Sequence, residues 1–151
     1  MLLESYVGGR WLAPDEEGKP LAHAVTGEVV AHVPVQPVPT AAALAHAASV
    51  GGPALRELTF HERAALLKEV GTRLMADKEE FYELSFATGA TRRDSAVDLD
   101  GGFGTVLVYA SKGRRELPAG SVYVDGDLEQ LGRRGTFVGQ HIMTPLLGAA
   151  V

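Results

Sequence analysis

The sequence predicts an α/β chain in which a β-hairpin, a layer of helices and a pair of antiparallel strands follow one another. Three observations lead there. The apolar spacing changes from two to a helical period and back, a Gly8-Gly9 pair interrupts the first β run, and Thr59-Phe60-His61-Glu62 opens a long helical stripe.

Leu2, Leu3, Tyr6, Val7, Trp11 and Leu12 are short apolar pieces around Gly8-Gly9, which predicts a hairpin with a glycine turn. A further β piece is expected over residues 28–33, after Thr26-Gly27. Pro34, Pro37, Pro39 and Pro53 bracket the alanine-rich run TAAALAHAASV, predicting a short helix capped by Thr40. Thr59 and Glu62 fit a capping box, and Phe60, Ala64, Leu67, Val70 and Leu74 then mark one helical face. Asp77 with Glu80 repeats the capping pattern, Phe81, Leu84 and Ala87 carry a second stripe, and Gly89 is its expected stop.

A third stripe runs through Leu99, Phe103, Val106, Leu107 and Ala110, with Lys112, Arg114 and Arg115 near its end, where cations suit the helix dipole. After Pro118 the period shortens. Residues 121–124 and 136–145 are β-rich, separated by Asp125-Gly126-Asp127 and by residues 132–135, which predicts antiparallel strands. The apolar end LLGAAV predicts a truncated chain, because termini are generally polar.

With 151 residues the default is one hydrophobic core. A net charge of −5 and only short basic clusters predict no nucleic-acid partner. No run approaches the ~18 apolar residues of a membrane span, and the start lacks a basic, apolar leader, so a soluble cytoplasmic protein with no membrane partner is expected. The chain has no cysteine, which removes disulfides, thiolate metal sites and thiol nucleophiles together.

The search for chemistry in the residues is mostly negative. His61-Glu62 begins like the zinc motif H-E-x-x-H, but Ala65 stands at the second ligand position, and His23, His32, His46 and His141 share no ligand spacing, so no metal site is expected. Asp98 and Asp100 are two apart, on different faces of a helix, and Asp15-Glu16-Glu17 and Lys78-Glu79-Glu80 read as solvated turns and faces. Gly101, Gly102 and Gly104 suggest a phosphate loop, yet G-x-G-x-x-G would need glycine where Leu107 stands, and no buried strand precedes them.

The order ESYVGGRW, TGEVVAHV, TFHERAALLKEVGTRLMADKEEFYEL, ATGATRRD and GTFVGQHIMTPLLGAAV resembles the N-terminal part of the aldehyde dehydrogenase superfamily over nearly the whole chain. Within it, LTFHERAALLK, SFATGATRRDSAVDLDGGFGTVLVYASKGRRELP and FVGQHIMTP are most similar to the dehydrogenase half of the bifunctional ring-opening enzymes of bacterial phenylacetate degradation (oxepin-CoA hydrolase with 3-oxo-5,6-dehydrosuberyl-CoA semialdehyde dehydrogenase). A sister family acts on the semialdehyde of the benzoyl-CoA pathway.

The resemblance implies a fold of N-terminal hairpin, helical layer and antiparallel oligomerisation strands, with residues 1–116 forming the hairpin and helical part and 117–151 the oligomerisation strands and the start of the cofactor domain. It implies a parent enzyme that oxidises an acyl-CoA semialdehyde with NAD or NADP. A cysteine thiolate attacks the aldehyde, hydride leaves to the nicotinamide, and a glutamate-activated water releases the acid. In the family those residues follow the strand at which this chain ends. The chain alone is therefore expected to be inactive and to bind no cofactor, and to form a homo-oligomer through strands 121–147. A noncatalytic interaction module built on the same strands is the alternative.

In the family the helix carrying DLDGGFGT lines the entrance for the aldehyde. Gly101, Gly102 and Thr105 are thereby expected to be substrate-channel residues, the glycines removing bulk at a cost of about 1 kcal/mol each in helix stability. Tight helix packing is an equal explanation of the glycines.

Overall fold

The computed structural model describes residues 2–13 and 18–148. The Asp15-Glu16-Glu17 turn and the last residues of LLGAAV, 149–151, lie outside them.

β1 (Ser5–Val7) and β2 (Arg10–Leu12) form the expected hairpin, pairing Ser5 with Leu12 and Val7 with Arg10. Gly8 and Gly9 turn the chain at φ 59° and 81°, the double left-handed conformation that a tight hairpin of this twist demands. Across it the Tyr6 and Trp11 rings meet edge to face at 5.2 Å.

The next β piece, β4 (Val29–Val33), does not stand alone. It pairs antiparallel with β3 (Lys19–Ala22), a strand the sequence reading missed because Pro20 breaks the β pattern. The Leu3 N–H donates to the His32 carbonyl at 3.0 Å, tying the N-terminal segment to this ribbon.

Two corrections concern helix starts. α1 (Thr40–His46) is capped by Pro39 without a side-chain bond, and Thr40 lies inside the first turn, its hydroxyl donating to the Val38 carbonyl. The helical run also passes Pro53: a π turn over residues 47–51 leads into α2 (Gly52–Glu57). A proline lacks the N–H an α turn would use, and the widened turn ahead of it absorbs that loss. Likewise, α4 (Lys78–Ala87) has Asp77 at its start, but Asp77 makes no cap; its carboxylate accepts from Arg73 Nε at 2.9 Å. A capping residue needs extended backbone, as Thr59 has at ψ 165°, whereas Asp77 at ψ 10° stays close to helical between α3 (Phe60–Ala76) and α4.

At the start of α3 the capping box forms as read. The Glu62 N–H donates to Thr59 Oγ1 at 3.2 Å and the Thr59 N–H donates to Glu62 Oε2 at 2.7 Å. Those bonds hold the Glu62 carboxyl below its ordinary pKa, the Thr59 backbone N–H contributing most. Gly89 follows α4 with φ 88°, the expected stop.

The third helix begins earlier than its stripe suggested. Thr91 and Asp94 form a second capping box over α5 (Arg92–Ser95), a π turn follows at residues 96–100, and α6 (Gly101–Glu116) continues the run.

α3 and α6 pack antiparallel and form the centre of the molecule. As numbers fall along α3 they rise along α6: Gly71 faces Val106 and Leu107, Ala64 faces Gly113, and His61 Nε2 lies 2.9 Å from the Leu117 carbonyl. A Cβ on Gly71 would come within 2.8 Å of Leu107, so glycine here permits the crossing. This changes the reading of the α3 stripe. Ala64 and Gly71 are buried, Phe60 and Leu74 half-buried, and Leu67 and Val70 exposed, because the close crossing selects small residues rather than the largest apolar ones.

β5 (Tyr123–Gln130) and β6 (Val138–Met143) form the antiparallel ribbon, with Val124 opposite Ile142 and Gln130 opposite Val138. Asp125-Gly126-Asp127 does not separate strands; it lies inside β5 at a shift of register, with Gly126 at φ 71°. Val122, Val124, Phe137, Val138, Ile142, Met143, Leu146 and Leu147 are all exposed. Among the described residues no helix is long and apolar enough to cross a membrane.

Candidate functional site

The glycine-rich start of α6 is built on α4. Ser95, fully buried, bonds Ser85 Oγ at 2.9 Å and donates to the Thr91 carbonyl at 3.0 Å, so the turn before the π segment is fastened to α4. One turn on, the Phe81 and Phe103 rings meet edge to face at 5.4 Å, and Lys78 Nζ approaches Asp100 Oδ2 at 3.6 Å. Tyr82 is buried beneath them, its ring covered by the Arg92 guanidinium at 4.9 Å and faced by the Lys78 ammonium at 5.9 Å. Burial raises the Tyr82 phenol above its ordinary pKa, and the neighbouring Asp100 carboxylate raises it further.

This anchoring leaves the opposite face of the helix start free. Gly101 and Gly102 are exposed, Gly104 is half-buried, and a Cβ built on any of the three would meet no atom within 4 Å beyond its own helix surroundings. Packing among the described residues therefore does not require glycine at these positions. Thr105, also exposed, donates its hydroxyl to the Gly101 carbonyl at 2.8 Å, one helical turn back. The three expected channel residues Gly101, Gly102 and Thr105 thus share one open helix start, directly after a π turn, a feature frequent at functional sites.

The site has no group suited to nucleophilic catalysis. No cysteine exists in the chain, and among the described residues no three His, Asp or Glu side chains gather as metal ligands. The glycines do not fit a nicotinamide dinucleotide either. They lie within a continuous helical run rather than between a strand and a helix, and Leu107, where the motif needs glycine, is packed on Gly71. The arrangement offers space, not chemistry.

Sequence reasoning found the glycines but not their foundation. The Thr91 box was legible as T-R-R-D, and Asp94 is held below its ordinary pKa by the Thr91 hydroxyl and backbone N–H. The Phe81–Phe103 contact and the Arg92 cover of Tyr82 join different helices and left no local signal, whereas Lys78 and Tyr82 are an i, i+4 pair within α4.

Residues 11–133 match the aldehyde dehydrogenase family. The chain belongs to that family. Across its whole length it is 39% identical to the 3,4-dehydroadipyl-CoA semialdehyde dehydrogenase of Aromatoleum evansii, and it spans 29% of that relative's length. The family assignment agrees with the mixed helix and strand fold and with the resemblance read from the sequence. The relative's name specifies a CoA-linked semialdehyde, though not the 3-oxo-5,6-dehydrosuberyl compound of the ring-opening enzymes.

Proposed function

We propose that the chain is the N-terminal part of an NAD- or NADP-dependent dehydrogenase that oxidises a CoA-linked semialdehyde in aromatic catabolism, and that its own contribution is the wall of the substrate entrance. The open face at Gly101 and Gly102 carries the reading. Glycine in a helix costs about 1 kcal/mol relative to alanine, no neighbour among the described residues needs the space, and a bulky CoA-bearing substrate would use it. Thr105 sits one turn further along the same wall, its hydroxyl turned back to the helix.

In this reading residues 1–116 supply the hairpin and helical layer, and 117–151 the oligomerisation strands and the start of the cofactor domain. The exposed apolar side chains of β5 and β6, such as Val124 and Ile142, then meet a neighbouring subunit and the remainder of the polypeptide. In this reading the catalytic cysteine, the glutamate and the cofactor site belong to a part of the parent enzyme that this chain does not span.

Absorbance at 340 nm with a CoA-linked semialdehyde and NAD or NADP tests the proposal. The full-length polypeptide should reduce the cofactor, whereas the 151-residue chain alone should neither turn over nor bind cofactor at micromolar concentration. Turnover or saturable cofactor binding by the isolated chain, or an inert full-length protein, would contradict it.

A further inference from the structure

The direction in which Gly101 and Gly102 face is decided before α6 begins. Ser95, Asp100 and Phe103 all meet α4: Ser95 Oγ lies 2.9 Å from Ser85 Oγ, Asp100 Oδ2 lies 3.6 Å from Lys78 Nζ, and the Phe103 ring lies 5.4 Å from that of Phe81. An uninterrupted α-helix would not allow this, because at 3.6 residues per turn Asp100 would stand roughly 140° around the axis from Ser95. The π turn over residues 96–100 closes its bonds across five residues and brings Asp100 back to the face of Ser95. Counted from Asp100, Gly101, Thr105 and Gly102 then lie about 100–200° around, on the side away from α4, while Gly104, about 40° around, is half-buried. With an α turn in its place, Gly102 would stand about 700° from Ser95 and face α4.

Asp100 is held in that register against its own preference for water. Its side chain and that of Lys78 are 37% and 33% exposed, yet Oδ1 is buried and no donor among the described residues meets it with hydrogen-bond geometry. The Tyr82 hydroxyl is its close neighbour: burial first, and then the Asp100 carboxylate, hold the Tyr82 phenol above its ordinary pKa. A carboxylate oxygen taken out of water without a donor is costly, and in the α register Asp100 would turn away from α4 and hydrate both oxygens. Arg92, the other cation over Tyr82, is taken up by Glu79 at 3.2 Å, which leaves Lys78 as the cation for Asp100.

We infer that Asp100 is a positioning residue for the substrate entrance: with Lys78 and Tyr82 of α4 it holds the π turn in register, and that register turns Gly101 and Gly102 outward. The inference rests on the proposed oxidation of a CoA-linked semialdehyde. Asp100 touches no substrate and acts through the wall. Without this pin the helix start samples the α register, in which the glycines turn toward α4 and Phe103, about 80° further around from Ser95, leaves Phe81 and swings toward the entrance. A large substrate loses its room there, while a short aldehyde still passes.

Steady-state kinetics and amide hydrogen exchange on the full-length polypeptide test this. Asp100→Asn should raise KM for a CoA-linked semialdehyde about fivefold, the size set by one half-exposed ion pair, with kcat unchanged and a short free aldehyde affected less than about twofold. Lys78→Met should do the same, the double variant should be no worse than either single one, and Lys78→Arg, which keeps the cation, should keep the parent KM. Exchange over residues 96–105 should quicken in Asp100→Asn and Lys78→Met but not in Lys78→Arg. Unchanged melting temperature shows that the variants fold. Parent KM in Asp100→Asn, equal losses on both substrates, or quickened exchange without a change in KM would overturn the assignment. An enzyme that oxidises CoA-linked semialdehydes while these variants keep parent KM and exchange refutes the positioning role alone. A protein inert toward such semialdehydes whose exchange still quickens in Asp100→Asn and Lys78→Met refutes the proposed activity alone.

Discussion

The two halves of α6 use small residues for opposite ends. In the second half Gly113 and Ala110 are pressed against α3, a Cβ on Gly113 reaching 3.2 Å from Ala64, and just before it, at mid-helix, Gly71 on the facing helix admits Leu107. In the first half Gly101, Gly102 and Gly104 face nothing within 4 Å. The same residue type thus lets two helices approach at one end and keeps a surface clear at the other. Presence of glycine in a helix says little; what a side chain there would touch distinguishes the roles.

Substitutions at the two ends should therefore differ in sign. Gly71→Val places branched carbons where even a Cβ lies 2.8 Å from Leu107, and should destabilise the full-length protein by about 1–3 kcal/mol, the usual range for overpacking. Gly102→Ala adds a methyl to open space and improves helix propensity, so it should stabilise by about 0.5–1 kcal/mol. Denaturant unfolding of both variants beside the parent checks the pair. Destabilisation by Gly102→Ala would place an unrecognised neighbour at the open end.

The helix starts sharpen the comparison, since α3 and α5 have capping boxes while α4 has none. Thr59→Ala should cost about 1 kcal/mol, with Asp77→Ala costing less because its carboxylate serves only an exposed i, i+4 ion pair with Arg73. Melting temperatures at neutral pH distinguish the two. The caps also set a pH dependence. Glu62 and Asp94 have folded-state pKa values below their ordinary ones, so their stabilisation is present above the ordinary carboxylate range and is lost as pH falls through the lowered values. A titration of melting temperature into acid should show this loss, and its Glu62 part should be missing in Thr59→Ala.

Legibility in the sequence followed the range of the forces involved. The Gly8-Gly9 hairpin, the Thr59 box and the Gly89 stop are decided within about four residues, and each stands in the structure as read. Where a second local preference competed, the reading failed. Pro39 displaced Thr40 from the cap, Pro20 concealed a strand that β4 pairs with, and Gly126 made a bulge where a turn was expected. The α3–α6 crossing was half legible: Ala64, Val106, Leu107 and Ala110 stood in the expected stripes, but Gly71 and Gly113, which let the helices approach, carry no apolar signal. At the candidate site the glycines were visible as a pattern and Thr105 entered with the family resemblance, but the openness of their surface depends on α4 fastening the other side through Phe81, Lys78 and Tyr82.

The central claim is that the open end of α6 is kept free of side chains for a large substrate. Gly101→Met in the full-length enzyme measures it most directly, through kcat/KM for a CoA-linked semialdehyde and for a short free aldehyde. Filling the entrance should lower kcat/KM for the CoA-linked substrate about tenfold, or roughly 1.4 kcal/mol of transition-state binding, and leave the short aldehyde within about twofold. Equal losses on both substrates, or no loss on either, would contradict the account.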